Sequence, residues 1–147
     1  MEVITIAKDL FQRQAPFEVF DEIKAQDLQI DVLVNDAGKG QYGEFTDTDI
    51  NRELDIIQLN IGAYLTFTKL YLKEMVARND GKILFVSSIA GKLLGPLQAV
   101  YYGTKAFVAS FCECYSEREQ GPPRHHHGLG AGPDRHRLFQ QSRHDAG

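Results

Sequence analysis

Short apolar runs alternate along the chain with longer stretches whose apolar residues recur at helical spacing. Three runs are brief, apolar and rich in β-branched residues, which predicts buried strands: residues 2–7, 31–34 and 82–87. Three stretches predict helices: residues 15–28, 49–78 and 101–118. Because strands that alternate with helices form parallel sheets, the pattern predicts an α/β fold.

Two loops rich in small residues follow predicted strands directly, at residues 35–40 and 88–100. Both lie where open α/β sheets bind their ligands, beyond the carboxyl ends of the strands. The predicted helix 49–78 carries apolar residues on more than one of its faces. We therefore expect this helix to be buried against more than its own sheet.

Composition argues against several classes of protein but identifies no chemistry. The 147 residues are 43% hydrophobic and 24% charged, with a net charge of -4, which is typical of one soluble globular domain. The mild acidity gives no support for nucleic-acid binding, and no window reaches the roughly 18 apolar residues of a membrane span. The N-terminus lacks the pattern of a signal peptide, and Cys112 and Cys114 are too close together to bridge easily. A reducing, cytoplasmic setting is therefore expected.

The end of the chain differs in kind from the rest. Residues 121–147 show no apolar periodicity, and this tail contains all five histidines: His125, His126, His127, His136 and His144. A segment that buries so little apolar surface cannot offset the entropy of its own ordering. We therefore expect a domain at residues 1–120 followed by an aberrant, disordered tail. Adjacent histidines in such a tail point in different directions, so no metal site is expected.

Three polar residues are spaced as an acid–base site requires, and a fourth, Asn60, lies in the helix before them. Tyr101 and Lys105 are four residues apart at the start of a predicted helix, so they share one face. A nearby ammonium favours the phenolate, which makes Tyr101 a candidate general acid/base, with the adjacent Tyr102 as the weaker candidate. Ser88 lies at the end of a predicted strand, where its hydroxyl can bond a substrate oxygen or act as a cap. Asn60 lies within a predicted helix, where a buried amide needs partners.

In these residues the chain resembles the short-chain dehydrogenase/reductase family over roughly residues 1–120. Five family elements are present in order and at the family's spacings, and together they are far more specific than any one motif. They are the tyrosine-x-x-x-lysine motif at Tyr101–Lys105, the strand-end serine thirteen residues earlier at Ser88, the helix asparagine at Asn60, the loop Asn35-Asp36-Ala37-Gly38 and the aspartate Asp9.

The resemblance implies an NAD- or NADP-dependent oxidoreductase that interconverts a carbonyl and a secondary alcohol of a small-molecule substrate. In that family Ser88 would polarise the carbonyl, Tyr101 would pass a proton to its oxygen, and Lys105 would support the phenolate and bond the nicotinamide ribose. Asn60 would hold a water that relays protons to Lys105. The resemblance implies these cofactor-binding residues: Asp9 at the adenine, Asn35, Ala37, Gly38, Tyr101 and Lys105.

The resemblance also implies a Rossmann-like, doubly wound parallel sheet and a homo-oligomer formed through the long helices 49–78 and 101–118. This sheet is expected to be incomplete, because the chain starts at the family's third strand and its first glycine is Gly38. The family's Gly-rich turn, which binds the pyrophosphate, comes before that point. Residues 2–7 therefore lack their family neighbour. We expect them either to remain an unpaired edge or to move beside residues 31–34.

Two departures from the family leave the activity open. Asp36 stands where the family has a second asparagine, and a carboxylate only accepts hydrogen bonds, so weaker loop packing and weaker cofactor binding are expected. The tail replaces the family's sixth strand and the substrate loop after it. The leading interpretation is a fragment of such an oxidoreductase. The alternatives are an inactive truncated remnant that associates through its long helices, and a regulatory fragment that competes for dimerisation with a full-length homologue.

Overall fold

The computed structural model describes residues 2–119 and 137–143 of the chain. Within these residues, a parallel sheet has the strand order β1-β2-β3: β1 at Val32–Asn35, β2 at Lys82–Ser88 and β3 at Arg137–Arg143. The helical elements are α1 at Ala15–Ala25, α2 at Ile50–Ile57, a π-helical segment at Gln58–Ala63, α3 at Tyr64–Arg78 and α4 at Ala99–Glu119. The predicted α/β class, with an incomplete parallel sheet and long helices, is confirmed.

The β2 strand lies almost where the sequence predicts it. Its side chains alternate, so that Ile83 and Phe85 are buried while Leu84 and Val86 are half-buried on the opposite face. Val34 of β1 lies in register with Leu84 on that second face and is 51% exposed. The described helices therefore cover one face of the sheet and leave the other face open.

The core lies between the covered face of the sheet and helices α3 and α4. Its buried residues are Tyr64, Tyr71, Met75, Ile83, Phe85, Val108 and Cys112. The Phe85 ring meets Phe111 of α4 edge-on, with centroids 5.9 Å apart, and α1 packs on α3 through Phe20 and Tyr71. A hydrogen bond from Lys105 Nζ to the Val86 backbone oxygen places the beginning of α4 beside the carboxyl end of β2.

The long helix predicted at residues 49–78 is continuous but contains the π-helical segment at its middle. Asp49 caps its start, because its carboxylate accepts from two backbone N–H groups at 2.7 and 3.0 Å. The helix ends at Asn79, whose φ of 54° is left-handed. Asn60 lies in the π-helical segment, a feature that is frequent at functional sites. None of the described helices is long and apolar enough to cross a membrane.

Two predictions of secondary structure are wrong. Residues 2–7 form no strand, because within the described part of the chain no strand pairs with them; Val3, for example, is 73% exposed. They follow the first of the two expected outcomes and remain unpaired. The predicted helix 15–28 ends early, at Ala25, because Asp27 adopts a left-handed φ of 55° that cannot continue an α-helix.

The tail differs from its prediction over seven residues. Residues 137–143, expected to be disordered, form β3 parallel to β2. Pairing with β2 satisfies the backbone N–H and C=O groups that face β2, and this does not require a periodic side-chain pattern. The five predicted tail histidines all lie outside the described residues: His125, His126, His127, His136 and His144. The division into a domain and a disordered tail stays a prediction there.

Candidate active site

The predicted catalytic residues meet at the carboxyl ends of β1 and β2. Ser88 ends β2, and Tyr101 and Lys105 lie in the first turns of α4. The loop at residues 36–40 follows β1, and Asn60 reaches it from the π-helical segment. The structure therefore brings these side chains to the edge of the sheet where open α/β folds bind their ligands.

Lys105 is a buried cation that lies beside two phenol rings. Its side chain is held by a hydrogen bond from Nζ to the backbone oxygen of Val86 at 3.3 Å, and the residue is 4% exposed. The ammonium lies 5.9 Å from the ring centroid of Tyr101 and 5.7 Å from that of Tyr64. Burial lowers the pKa of Lys105, and the Asp36 carboxylate raises it in part. The structure thus brings the predicted tyrosine–lysine pair together, and its catalytic role stays a prediction.

Ser88 begins the turn that leads from β2 towards α4. Its Oγ accepts a hydrogen bond from the backbone N–H of Ala90 at 3.2 Å, which caps the 3-10 turn Ile89–Gly91. Ser88 therefore has the capping role that the sequence allowed as the alternative to a substrate contact. A hydroxyl that accepts one bond still has its proton to donate, so the cap and a substrate contact are compatible.

Asn60 clamps the loop after β1. The residue is fully buried, and its Oδ1 accepts from the backbone N–H of Lys39 at 3.0 Å. Its Nδ2 donates to the backbone oxygen of Lys39 and to Thr104 Oγ1, both at 2.9 Å. Both amide protons are therefore used by protein groups. The side chain orders the loop, and the relay water that the family resemblance assigns to Asn60 stays a prediction.

Two glycines let this loop approach the catalytic side chains. A Cβ on Gly38 would lie 3.2 Å from Lys105 Nζ, and one on Gly40 would lie 3.0 Å from Cγ of Tyr101. The backbone of the loop thus packs directly on the tyrosine–lysine pair. Any side chain at either position must displace one of these two groups.

The first residues of the predicted cofactor loop continue from β1. Asn35 is buried, and its Nδ2 donates to Thr68 Oγ1 at 3.2 Å. The Asp36 carboxylate is close enough to raise the pKa of both Tyr64 and Lys105, and burial is the larger cause of the shift at Tyr64. The aspartate therefore places its negative charge at the site, as its position in the sequence suggested.

Asp9 has a local role in the structure. Its carboxylate accepts from the backbone N–H of Phe11 at 3.1 Å, and the residue is exposed. This bond forms a local Asx turn before α1, and the adenine contact that the resemblance implies stays a prediction. Among the described residues, no three His, Cys, Asp or Glu side chains come together as a metal site requires.

Thr104 and Tyr64 are part of the site, and the sequence patterns did not identify them. Thr104 is 2% exposed, and its Oγ1 donates to the backbone oxygen of Tyr101 at 2.8 Å while it accepts from Asn60. Helical spacing carried a signal for both, because Thr104 lies three residues after Tyr101 and Tyr64 lies four residues after Asn60.

A groove of about 310 Å³ runs along the open edge of β1, and its lining is largely apolar. Asn35, Asp36 and Ala37 line its end at the carboxyl side of the strand. Tyr64 and Tyr71 also line this groove, and their buried hydroxyls have no hydrogen-bond partner among the described residues. A ligand or a chain segment that supplies polar atoms there would satisfy both phenols.

Comparison with known proteins gives one consistent result. Residues 1–121 match the short chain dehydrogenase family. The very-long-chain 3-oxoacyl-CoA reductase of Rattus norvegicus is 39% identical over 107 residues, which cover 68% of this chain and 34% of that protein. The chain thus spans about a third of the length of this curated relative.

Solved structures share the fold. A metagenomic short-chain oxidoreductase in complex with NADP has a TM-score of 0.78 at 22% identity, covering 96% of this chain and 59% of that one. 4-Hydroxyisoleucine dehydrogenase complexed with NADH has a TM-score of 0.73 at 19% identity, covering 79% and 56%. At these identities the likeness shows a common Rossmann-like fold alone.

Proposed function

Since the chain belongs to the short-chain dehydrogenase family, we propose that it carries the proton-transfer part of an oxidoreductase site that interconverts a carbonyl and a secondary alcohol. The observation that supports this most directly is the buried ammonium of Lys105 beside the ring of Tyr101, at 5.9 Å. Lys105 thus places a positive charge beside Tyr101, the phenol that exchanges a proton with the substrate in this proposal.

Three side chains divide the work on a carbonyl oxygen. Tyr101 donates its hydroxyl proton to that oxygen as the alcohol forms, and Ser88 donates a second hydrogen bond to the same oxygen. Lys105 stabilises the phenolate that Tyr101 becomes. A nicotinamide cofactor, when bound, supplies the hydride for the carbonyl carbon. The protein's own contribution is to hold the substrate oxygen between two donors.

The residues present fit the nicotinamide–ribose part of such a cofactor. Lys105 and Tyr101 offer hydrogen-bond donors beside Gly38, where no side chain blocks the approach to the ammonium. Asn35 and Ala37 connect this loop with the groove. The charge of Asp36 opposes the binding of phosphate groups nearby, so we expect weak affinity. The choice between NAD and NADP stays open, because one structural neighbour was solved with NADP and another with NADH.

Similarity to the very-long-chain 3-oxoacyl-CoA reductase of rat makes a 3-oxoacyl-CoA the first substrate to test. The alternative function is an inactive chain that associates through its long helices. Exposed apolar side chains on α2 and α4 favour it, because Leu54 is 55% and Phe107 is 40% exposed. Both proposals predict a homo-oligomer, and only the first predicts turnover.

A titration of the purified chain with NADPH and NADH, followed by cofactor fluorescence and by turnover of a 3-oxoacyl-CoA, tests the proposal. We expect saturable binding and slow turnover that Tyr101→Phe abolishes. Tyr102→Phe is the matched control, because it removes a neighbouring phenol that lies on a different side of α4. Turnover that survives in Tyr101→Phe would refute the assignment. Absence of binding and turnover in the wild type would favour the inactive alternative.

A further inference from the structure

We propose that Thr104 is a positioning residue, whose hydroxyl locks Asn60 to the first turn of α4 and so holds the loop at residues 38–40 against Tyr101 and Lys105. We call these bonds among Thr104, Asn60 and Lys39 the clamp. Its effect on a reaction rests on the proposed function, whereas its existence does not. Its basis is a chain of hydrogen bonds that runs from one backbone segment to another through two buried side chains.

The Thr104 hydroxyl has a fixed direction. Its single proton is donated to the backbone oxygen of Tyr101 at 2.8 Å, so towards Asn60 it can only accept. The Asn60 amide must therefore turn its Nδ2 to Thr104, and the distance is 2.9 Å. With Thr104 2% exposed and Asn60 fully buried, water has no access to replace either bond.

The bonds of Asn60 to the loop need this same orientation of its amide. Once Nδ2 points at Thr104, its second proton reaches the backbone oxygen of Lys39 at 2.9 Å and Oδ1 receives the Lys39 N–H at 3.0 Å. The flipped amide would face the Lys39 oxygen and the Thr104 lone pair with an acceptor. Thr104 and Lys39 thus require the same amide orientation, the one in which all three bonds form.

The clamped loop lies on the acid–base pair. Gly38 approaches Lys105 Nζ and Gly40 approaches the Tyr101 ring so closely that a Cβ at either position would be in tight contact. Loss of the Thr104 hydroxyl leaves a buried amide proton of Asn60 without an acceptor, which loosens the loop. The two side chains beneath it then gain freedom to move.

The clamp is tested by hydrogen exchange in the full chain, measured by NMR. In Thr104→Val, which keeps the shape and removes the hydroxyl, the Asn60 side-chain amide and the Lys39 backbone amide should exchange about tenfold faster. Thr104→Ser, which restores a hydroxyl, should return both to wild-type rates. Thr68→Val is the matched control, because it removes the acceptor of the other buried amide, Asn35, and should leave Asn60 unchanged.

Equal exchange in Thr104→Val and wild type, or a Thr104→Ser variant that behaves like the valine, would overturn the clamp. If the valine variant does not fold, the wild-type chain decides: the proposal requires a slowly exchanging Thr104 hydroxyl proton with an NOE to the Asn60 amide, and a rapidly exchanging proton contradicts it. In the reaction we expect kcat to fall about tenfold in Thr104→Val, with KM within about twofold, and the serine to rescue it. A wild-type chain without turnover counts against the proposed function, whereas the exchange data still decide the clamp.

Discussion

The two faces of this sheet differ in how well the described helices cover them. On the covered face, Phe85 is 1% exposed and the helices above it hold Tyr101 and Lys105. On the open side, Val32 is 56% exposed, and the segment at residues 2–7 pairs with no described strand. The proton-transfer residues depend on contacts that the chain makes with itself. The cofactor loop begins at β1, whose outer edge pairs with no strand among the described residues.

The largest effect is expected from the covered face. Phe85→Ala should lower the free energy of unfolding by about 3–5 kcal/mol, because it leaves a cavity between β2 and α4. Val34→Ala, on the open face, should cost about 1 kcal/mol or less. Chemical denaturation of both variants measures the difference. Equal losses would mean that the open face is covered in solution.

Tyr64 lies where the covered core meets the groove. Tyr64→Phe should raise the free energy of unfolding at pH 7 by about 1 kcal/mol, because it removes a buried hydroxyl without a partner in the described structure. Burial raises the pKa of Tyr64, so the folded state keeps a proton that the unfolded state loses. Stability therefore falls as the pH rises above about 10.

Unfolding measured from pH 7 to 11 checks both effects. The alkaline loss should be smaller in Tyr64→Phe than in wild type, and the exposed Tyr42→Phe should follow the wild-type curve. A Tyr64→Phe chain that is less stable at pH 7 would show that a group outside the described residues binds this hydroxyl.

Two glycines allow the open surface of α4 to be compared with the crowded loop at residues 38–40. Gly103 lies within α4, where a Cβ meets nothing within 4 Å, so Gly103→Ala should raise the free energy of unfolding by about 1 kcal/mol. Gly38→Ala should lower it, because its methyl group displaces the Lys105 ammonium. Thermal unfolding of the two variants gives the comparison, and a neutral Gly38→Ala would contradict the close packing of the loop.

The smallest effect concerns the charge beside the loop. Asp36→Asn should lower the pKa of Lys105 further, because the carboxylate now raises it, and should tighten NADPH binding by roughly threefold at low salt. An NMR titration of the Lys105 side chain and a fluorescence titration with NADPH measure these changes. Asp80→Asn, before the start of β2, should change neither. An unchanged Lys105 would place the Asp36 charge elsewhere in solution.

The sequence was most informative where structure depends on neighbours along the chain. The strand predicted at residues 82–87 is found at Lys82–Ser88, because a short β-branched run between turn signals has few alternatives. The long helix at residues 49–78 was predicted in place, but its π-helical segment around Asn60 was not, since local propensity does not distinguish that segment from α-helix. The strand predicted at residues 2–7 is wrong. Its sequence is suited to a strand, but a strand also needs a partner for its backbone hydrogen bonds.

What the sequence by itself determined is the family and the spacing of its acid–base residues. Tyr101 and Lys105 share a face because any helix places residues four apart together, and Ser88 follows from the end of a strong strand signal. Only the tertiary structure decided that Asn60 clamps Lys39, 21 residues earlier, and that Thr104 completes the clamp from 44 residues later. Those bonds join segments that are distant in the sequence and meet only in the folded chain. Tertiary packing decides which groups meet, and the local sequence gives no rule for it.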